Sequence, residues 1–167
     1  MPRLIAVYIS GHGYGHLAQI APVLNALSHK QPELQFIIRS NLPEQRIRSR
    51  LYAPFSLLEG AVDVGVLQKN AVSEDIPATI DAAHTFYDGF SNKIAAEVAR
   101  LRPLHPDLIL SDISPLAFPV AKQLLIPCIA VASLDWYDIY RDFLSADDAV
   151  LNTLQQAHAD CDLLIQP

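Results

Sequence analysis

The stretch Leu4-Ile5-Ala6-Val7-Tyr8-Ile9-Ser10-Gly11-His12-Gly13-Tyr14-Gly15-His16 decides the fold of this chain. Its first six residues are apolar, as in a buried strand, and three alternate glycines follow. Beyond them, apolar residues recur at helical spacing, at Leu17, Ile20, Ala21, Leu24 and Leu27. This order predicts a strand, a glycine-rich turn and a helix. In an open α/β sheet, such a turn lies at the carboxyl end of the strand, where these folds bind ligands.

The glycine-rich turn combines conformational freedom with groups that titrate. Gly11, Gly13 and Gly15 permit close approach of the backbone and positive φ, and the helix start beyond them offers unpaired N–H groups to an anion. His12 and His16 add imidazoles, which titrate near neutrality and can take a proton from a hydroxyl. The G-x-G-x-G spacing differs from the dinucleotide fingerprint G-x-G-x-x-G. The alternative is that the glycines serve only tight packing of the turn.

The composition predicts a soluble globular domain. The 167 residues are about the length of one domain, and 51 % apolar with 18 % charged residues excludes a disordered chain. No apolar run approaches the roughly 20 residues that span a bilayer. The first residues also lack the pattern of a signal peptide. We therefore expect a cytoplasmic protein with no membrane span.

The charge distribution argues against nucleic acid as a partner. The net charge is −6, with six Lys/Arg against three Asp/Glu in residues 1–60 and six against fifteen in residues 61–167. Neither part carries a basic stripe of the kind that nucleic-acid binding needs. The positive bias near the glycine turn would suit an anionic ligand, although Arg46, Arg48 and Arg50 are better explained as a solvated helix face.

The rest of the chain alternates strands with helices. Strands are predicted at 34–39, 55–58, 61–67, 107–112, 127–132 and 162–165. Helices are predicted at 41–50, 78–102, 115–125 and 146–158, with an exposed loop at 68–77 and a loop or short helix at 136–143. This order predicts the α/β class, with a doubly wound, mostly parallel, Rossmann-like sheet. Because the chain stops directly after a strand, we expect it to be part of a larger protein.

Asp112 is a candidate partner of His16. It follows a continuous apolar strand, so its carboxylate should lie at the same edge of the sheet as the glycine turn. A carboxylate on one imidazole nitrogen fixes the tautomer and stabilises the protonated ring, which makes a general base. The alternative, equally compatible with the spacing, is that Asp112 caps a helix beginning near Ser114 and Pro115. His12 is a second candidate, lining the turn or contacting a ligand.

No metal or other cofactor is expected. The six histidines do not form a metal-spaced cluster, and Asp135, Asp138 and Asp142 lack the pattern of a ligand loop. Cys128 and Cys161 have neither zinc-ligand nor C-x-x-C spacing, so both are expected as reduced thiols.

Three segments resemble those of GT-B glycosyltransferases. Gly11-His12-Gly13-Tyr14-Gly15-His16-Leu17 is similar to the opening of sugar transferases that act from UDP-sugars and of the peptidoglycan N-acetylglucosaminyltransferase. It is more similar to the glycosyltransferase-like N-terminal region of plant arabinokinase and its bacterial relatives. In that region, a later S/N-x-x-W-x-x-I-Y segment resembles residues 133–140 here. The strand ending in Asp112, and the helix and proline-led strand after it, also follow the family's order.

The resemblance implies roles for residues at matching positions. His16 matches the general base and Asp112 the aspartate that orients it. The residues matched to substrate or donor binding are Gly11, His12, Gly13, Tyr14, Gly15, Ser133 and Trp136. The chain departs from the family at Gln19, where the family has a proline. Residues 1–167 then correspond to the acceptor-side N-terminal domain, half of a GT-B fold, and the C-terminal domain that holds the nucleotide-sugar is absent.

The expected function is transfer of a sugar from a nucleotide-sugar to an acceptor hydroxyl. The expected partners are a small-molecule acceptor, a nucleotide-sugar and the C-terminal domain of the same protein, with assembly into a homo-oligomer left open. Two alternatives remain at this point. One is a sugar-nucleotide epimerase or hydrolase on the same fold, and the other is a non-catalytic binding or regulatory module.

Overall fold

Six parallel strands form the central sheet in the computed structural model, which describes residues 3–166. These strands are β1 (Leu4–Tyr8), β2 (Gln35–Ser40), β3 (Phe55–Glu59), β6 (Leu108–Ser111), β7 (Cys128–Val131) and β8 (Leu163–Ile165). Their order in the sheet is β3-β2-β1-β6-β7-β8, and every neighbouring pair is parallel. The predicted doubly wound, Rossmann-like sheet is therefore confirmed.

Helices cover both faces of this sheet. They are α1 (Gly15–Lys30), α2 (Glu44–Arg48), α3 (Ile76–Tyr87), α4 (Phe90–Leu101), α5 (Ala117–Leu124), α6 (Trp136–Tyr140) and α7 (Ala149–His158), with a 3₁₀ turn at Arg102–Leu104. In β1, Ile5 and Val7 face the core beneath α1 and α2, whereas Ala6 and Tyr8 face the core beneath the remaining helices. Burial of both faces explains why the apolar runs of β1, β6 and β7 are almost continuous. Within the described range, no helix is both long and apolar enough to cross a bilayer.

The strand order reverses at β1. This strand pairs with β2 on one side and β6 on the other. The chain leaves β1 toward α1 on one face and leaves β6 toward α5 on the other, which opens a crevice between the two loops. Residues 9–16 and residues 112–116 therefore meet at the position where open α/β sheets bind ligands.

A buried ion pair joins two strands of the sheet to a helix. The Arg39 guanidinium, only 1 % exposed, donates from Nε to Glu97 Oε2 at 2.7 Å and from its Nη2 to Oε1 at 2.6 Å. The Tyr8 hydroxyl donates to the same carboxylate at 3.1 Å. Because the charged groups are paired and hydrogen-bonded, they can be buried in this position. The network ties β1 and β2 to α4 directly behind the crevice.

The predicted strand at 61–67 is wrong. The chain leaves the sheet after β3 at Gly60, whose φ is +147°, and residues 61–67 have no regular structure. Backbone carbonyls in this segment accept hydrogen bonds from side chains rather than from a neighbouring strand. The Ser114 hydroxyl donates to the Val62 carbonyl at 2.7 Å, and the Tyr140 hydroxyl donates to that of Val64. These bonds hold an irregular segment against the carboxyl edge of the sheet.

Two further expectations need correction. The segment 68–77 is exposed as predicted, but it forms the antiparallel hairpin β4 (Gln68–Asn70) and β5 (Ser73–Glu74) and then enters α3. The single helix predicted at 78–102 is two helices, because Gly89 adopts φ +67° in the left-handed region between α3 and α4. Asp75 caps α3 by accepting from the Ala78 N–H.

Candidate functional site

The glycine turn after β1 is fixed by its packing at one position and open at the others. A side chain at Gly11 would overlap the Asn41 side chain, which would have to move to make room for it. Gly13 has φ +68°, and both Gly13 and Gly15 have open space where a side chain would be. The packing explanation therefore accounts for Gly11 alone, and the exposed part of the turn remains free to contact a ligand.

The structure brings His16 and Asp112 together. His16 lies in the first turn of α1, with Nδ1 3.1 Å from Asp112 Oδ2. Asp112 is 1 % exposed and also accepts from the N–H of Ser10 at 3.2 Å and of Ile113 at 2.6 Å. These bonds fix the carboxylate at the crevice. It caps no helix, since α5 begins at Ala117 without a side-chain cap.

Opposing effects set the proton affinity of His16. Burial alone would lower the pKa of this imidazole, but the hydrogen bond and charge of Asp112 outweigh burial, together with the charge of Asp63. The net effect raises the pKa of His16 above its ordinary value. With Nδ1–H directed at Asp112, the second ring nitrogen, Nε2, is the one left with a lone pair. The side chain remains 20 % exposed, so a small ligand can reach it.

His12 lies beside His16 in a different environment. Its ring packs against Gly65, where any side chain would overlap it, and its centroid is 6.4 Å from that of His16. Burial, and secondarily the charge of His16, lowers the pKa of His12. His12 is therefore neutral near neutral pH, and it can donate or accept a hydrogen bond to a ligand.

Trp136 lies beneath both histidines. Its ring centroid is 5.7 Å from that of His12, edge-on, and 6.0 Å from that of His16, and the side chain is only 1 % exposed. The structure thus places Trp136 as a support for the histidines, whereas Ser133 and Tyr14 are exposed at the rim. The Arg46 guanidinium stacks on the Tyr14 ring at 4.7 Å.

Asp63 is a site residue that the sequence did not reveal. Its carboxylate is buried and accepts from the Ser10 hydroxyl at 2.9 Å and from the Trp136 indole N–H at 3.0 Å. Burial, and then the charge of Asp112, raises the pKa of Asp63 to about 7. The available signal was a lone acidic residue between Val62 and Val64. Val62, Val64 and Val66 alternate with Asp63 and Gly65, and this pattern predicted a strand instead.

Other histidines lie outside this site. His84 is exposed and pairs with Asp148 at 3.0 Å. His158 pairs with Asp135 at 2.9 Å and packs edge-on against Phe118. In residues 3–166, no three His, Cys, Asp or Glu side chains are grouped so that they could hold a metal ion.

Known structures share this architecture. Arabidopsis thaliana UGT89C1 complexed with UDP-L-rhamnose superposes with a TM-score of 0.59 at 16 % identity, over 99 % of this chain and 45 % of that one. The fold is that of a GT-B glycosyltransferase-like domain. A putative UDP-N-acetylglucosamine 2-epimerase from Listeria monocytogenes also matches this GT-B-like domain, with a TM-score of 0.52 at 15 % identity, over 99 % of this chain and 39 % of that one.

One curated relative of the GT-B-like domain is the L-arabinokinase of Arabidopsis thaliana. The two are 22 % identical over 169 residues, which cover 98 % of this chain and 16 % of the kinase. No family model matches the chain. The GT-B-like domain thus spans less than half the length of each of these proteins. The similarity establishes the architecture, and the geometry of the crevice is what bears on chemistry.

Proposed function

We propose that this GT-B-like domain is the acceptor side of a glycosyltransferase, with His16 as the general base. The observation that carries the proposal is the 3.1 Å contact between His16 Nδ1 and the buried Asp112 carboxylate. It lies at the reversal of strand order, where open α/β sheets bind ligands, and the His16 side chain is 20 % exposed there. An imidazole so oriented has the protonation pattern that removal of a hydroxyl proton requires.

The proposed reaction is a single displacement. An acceptor hydroxyl donates its proton to His16 Nε2 while its oxygen forms a bond to the anomeric carbon of a nucleotide-sugar. The bond from that carbon to the diphosphate oxygen breaks, and the nucleoside diphosphate leaves with the electron pair. The carboxylate of Asp112 stabilises the imidazolium that results. The proton is lost to solvent when the products leave.

The donor side of the reaction needs a second domain in this proposal. The nucleotide-sugar would be held by that domain and would place its diphosphate near Gly13, Tyr14 and Gly15, which are all exposed. The first N–H groups of α1 point out of this turn and can stabilise a leaving diphosphate. The displacement therefore includes no step that requires a metal ion.

The test is transfer by the intact protein, assayed together with whatever domain or subunit supplies the donor side. His16→Ala should lower kcat by about 10²- to 10⁴-fold, the usual contribution of a general base. His84→Ala removes another histidine of a His–Asp pair, outside the crevice, and should transfer at the parental rate. Transfer by His16→Ala at the parental rate would contradict the proposal.

An epimerase or hydrolase is the second candidate, because the Listeria monocytogenes protein has the same architecture. Incubation of the intact protein with a panel of UDP-sugars, without acceptor, separates the two. Conversion of the sugar itself favours epimerisation or hydrolysis, whereas consumption only with an acceptor favours transfer.

A binding or regulatory module is the candidate from another class, and the similarity to L-arabinokinase favours it. In that case, His16→Ala would leave the activity of the intact protein unchanged while altering ligand affinity or assembly. Measuring both quantities on the same variant distinguishes a module from a transferase.

A further inference from the structure

The carboxyl group of Asp63 takes no part in the displacement described above, yet it lies against the same residues. Oδ1 accepts from the Ser10 hydroxyl at 2.9 Å and Oδ2 from the Trp136 indole at 3.0 Å. A buried carboxyl group costs free energy unless it is hydrogen-bonded or paired. We therefore looked for a functional role of the Asp63 carboxyl group, which is buried in a segment without regular structure.

Both hydrogen bonds of Asp63 lead to a histidine. Ser10 Oγ accepts from the backbone N–H of His12 at 3.2 Å, so Asp63 holds the start of the glycine turn through Ser10. Trp136 packs against the rings of both His12 and His16. The Asp63 carboxyl group thus fixes both Ser10 and Trp136, and these two residues contact the histidines.

Two carboxyl groups also share one cationic partner. The titratable groups whose charges act on Asp63, or feel its charge, come from four elements: Asp112 after β6, His16 in α1, Tyr87 in α3 and Tyr140 in α6. Of these, only His16 can be positive. Asp63 has a pKa of about 7, and the pKa of His16 is raised in part by the charge of Asp63, so the two titrations are coupled.

We propose that Asp63 is a positioning residue of this site, which fixes Ser10 and Trp136 beneath the histidines and is electrostatically coupled to His16. Its significance for catalysis rests on the proposed function, because His16 must be neutral to accept a proton. The electrostatic coupling itself does not depend on any reaction and can be measured on the 167-residue chain.

The experiment is an NMR titration of the His16 ring and of the Asp63 carboxyl carbon. In the parental chain, the carboxyl carbon should titrate with a midpoint near pH 7. Asp63→Asn keeps the shape and an oxygen acceptor but removes the charge, so His16 should titrate at a lower pH than in the parent. Asp148→Asn removes a carboxylate from the His84 pair outside the site and should leave the His16 midpoint unchanged.

Ser10→Ala is the second variant, and it retains the charge. It removes the hydroxyl that favours the ionised form of Asp63, so the carboxyl midpoint should move above its parental value. Equal His16 midpoints in the parent and Asp63→Asn would overturn the proposal. So would a carboxyl midpoint that Ser10→Ala leaves unchanged.

The outcome is separable from that of the proposed function. If Asp63→Asn shifts the His16 titration while His16→Ala transfers sugar normally, the coupling stands and the transferase proposal fails. If His16→Ala abolishes transfer while the His16 midpoint is the same in Asp63→Asn and the parent, the transferase proposal stands and this one fails.

Discussion

The imidazole of His16, at the start of α1, and the carboxylate of Asp112, after β6, meet at 3.1 Å across the switch point of the sheet. The contact depends on the pairing of β1 with β6, which places two distant segments at one edge. The N–H groups of Ser10 and Ile113 hold the Asp112 carboxylate, and His16 lies in the first turn of α1, so the pair is organised before any ligand arrives. Preorganisation of this kind is what a general base requires.

The first prediction concerns the pH dependence of the proposed transfer. A base works only when neutral, so the rate should fall as the pH drops through the raised pKa of His16. Asp112→Asn removes the charge that raises this pKa, and the acid limb should therefore move to lower pH. The maximal rate should fall by about 10²-fold or more, because the imidazolium loses its counter-charge.

Rates measured across a pH series check both effects, with Asp148→Asn as the matched control. That variant also removes a carboxylate from a His–Asp pair, and asparagine preserves its capping of α7. An acid limb at the same pH in Asp112→Asn and the parent would show that His16 is not the titrating base.

The second prediction concerns stability and Asp63. In the folded state the pKa of Asp63 is about 7, against 3.8 for an ordinary aspartate. The folded state therefore binds more protons than the unfolded chain between these two pH values. The free energy of unfolding should therefore decrease as the pH rises from about 4 to about 7. At 1.4 kcal/mol per unit, Asp63 contributes roughly 4 kcal/mol to this decrease.

Urea unfolding at several pH values measures that slope. In Asp63→Asn the decrease should be much smaller, leaving the part due to His16, whose raised pKa acts in the same direction. Parallel stability curves for the two proteins would mean that Asp63 is already ionised well below neutral pH.

The third prediction concerns the packing of the His12 ring against Gly65. A side chain at Gly65 would overlap that ring, so Gly65→Ala should displace it and change its NMR signals. Gly15→Ala adds the same methyl group where the structure has open space, and should leave the His12 signals and the melting temperature near their parental values. If Gly65→Ala also leaves the His12 signals in place, the ring is not held by this contact.

The fourth prediction concerns the buried ion pair behind the crevice. Glu97→Ala leaves the Arg39 guanidinium buried without its partner and should lower the free energy of unfolding by about 3–5 kcal/mol. Glu44→Ala breaks the exposed pair with Arg48, and should cost about 1 kcal/mol or less. Chemical denaturation of the two variants compares them directly, and equal losses would contradict the assigned burial of the pair.

The double variant Arg39→Met with Glu97→Met separates loss of the charge pair from loss of packing. It should recover part of the stability lost in Glu97→Ala, because no unpaired charge remains in the core.

Local sequence determined the sheet and half of the site. The apolar runs of β1, β6 and β7 are continuous because both of their faces are covered, and such runs are visible without coordinates. Once the strands are parallel, their carboxyl ends share one edge. That rule was enough to place Asp112 and the glycine turn at the same edge, but it left pairing with His16 and capping of a helix equally possible for Asp112.

Only the tertiary structure decided where irregular backbone lies. Apolar residues alternate in the stretch 61–67 as in a strand. However, the hydroxyls of Ser114 and Tyr140 donate hydrogen bonds to its carbonyls and hold it at the carboxyl edge of the sheet. Asp63 thereby becomes buried beside Trp136, which a motif had suggested as a ligand contact. Periodicity reports how a segment can fold by itself, whereas the partners of its polar groups come from distant residues. The chain's own pattern therefore predicted the sheet and the edge that His16 and Asp112 share, whereas the tertiary structure decided their pairing and added the second carboxyl group, Asp63, beside them.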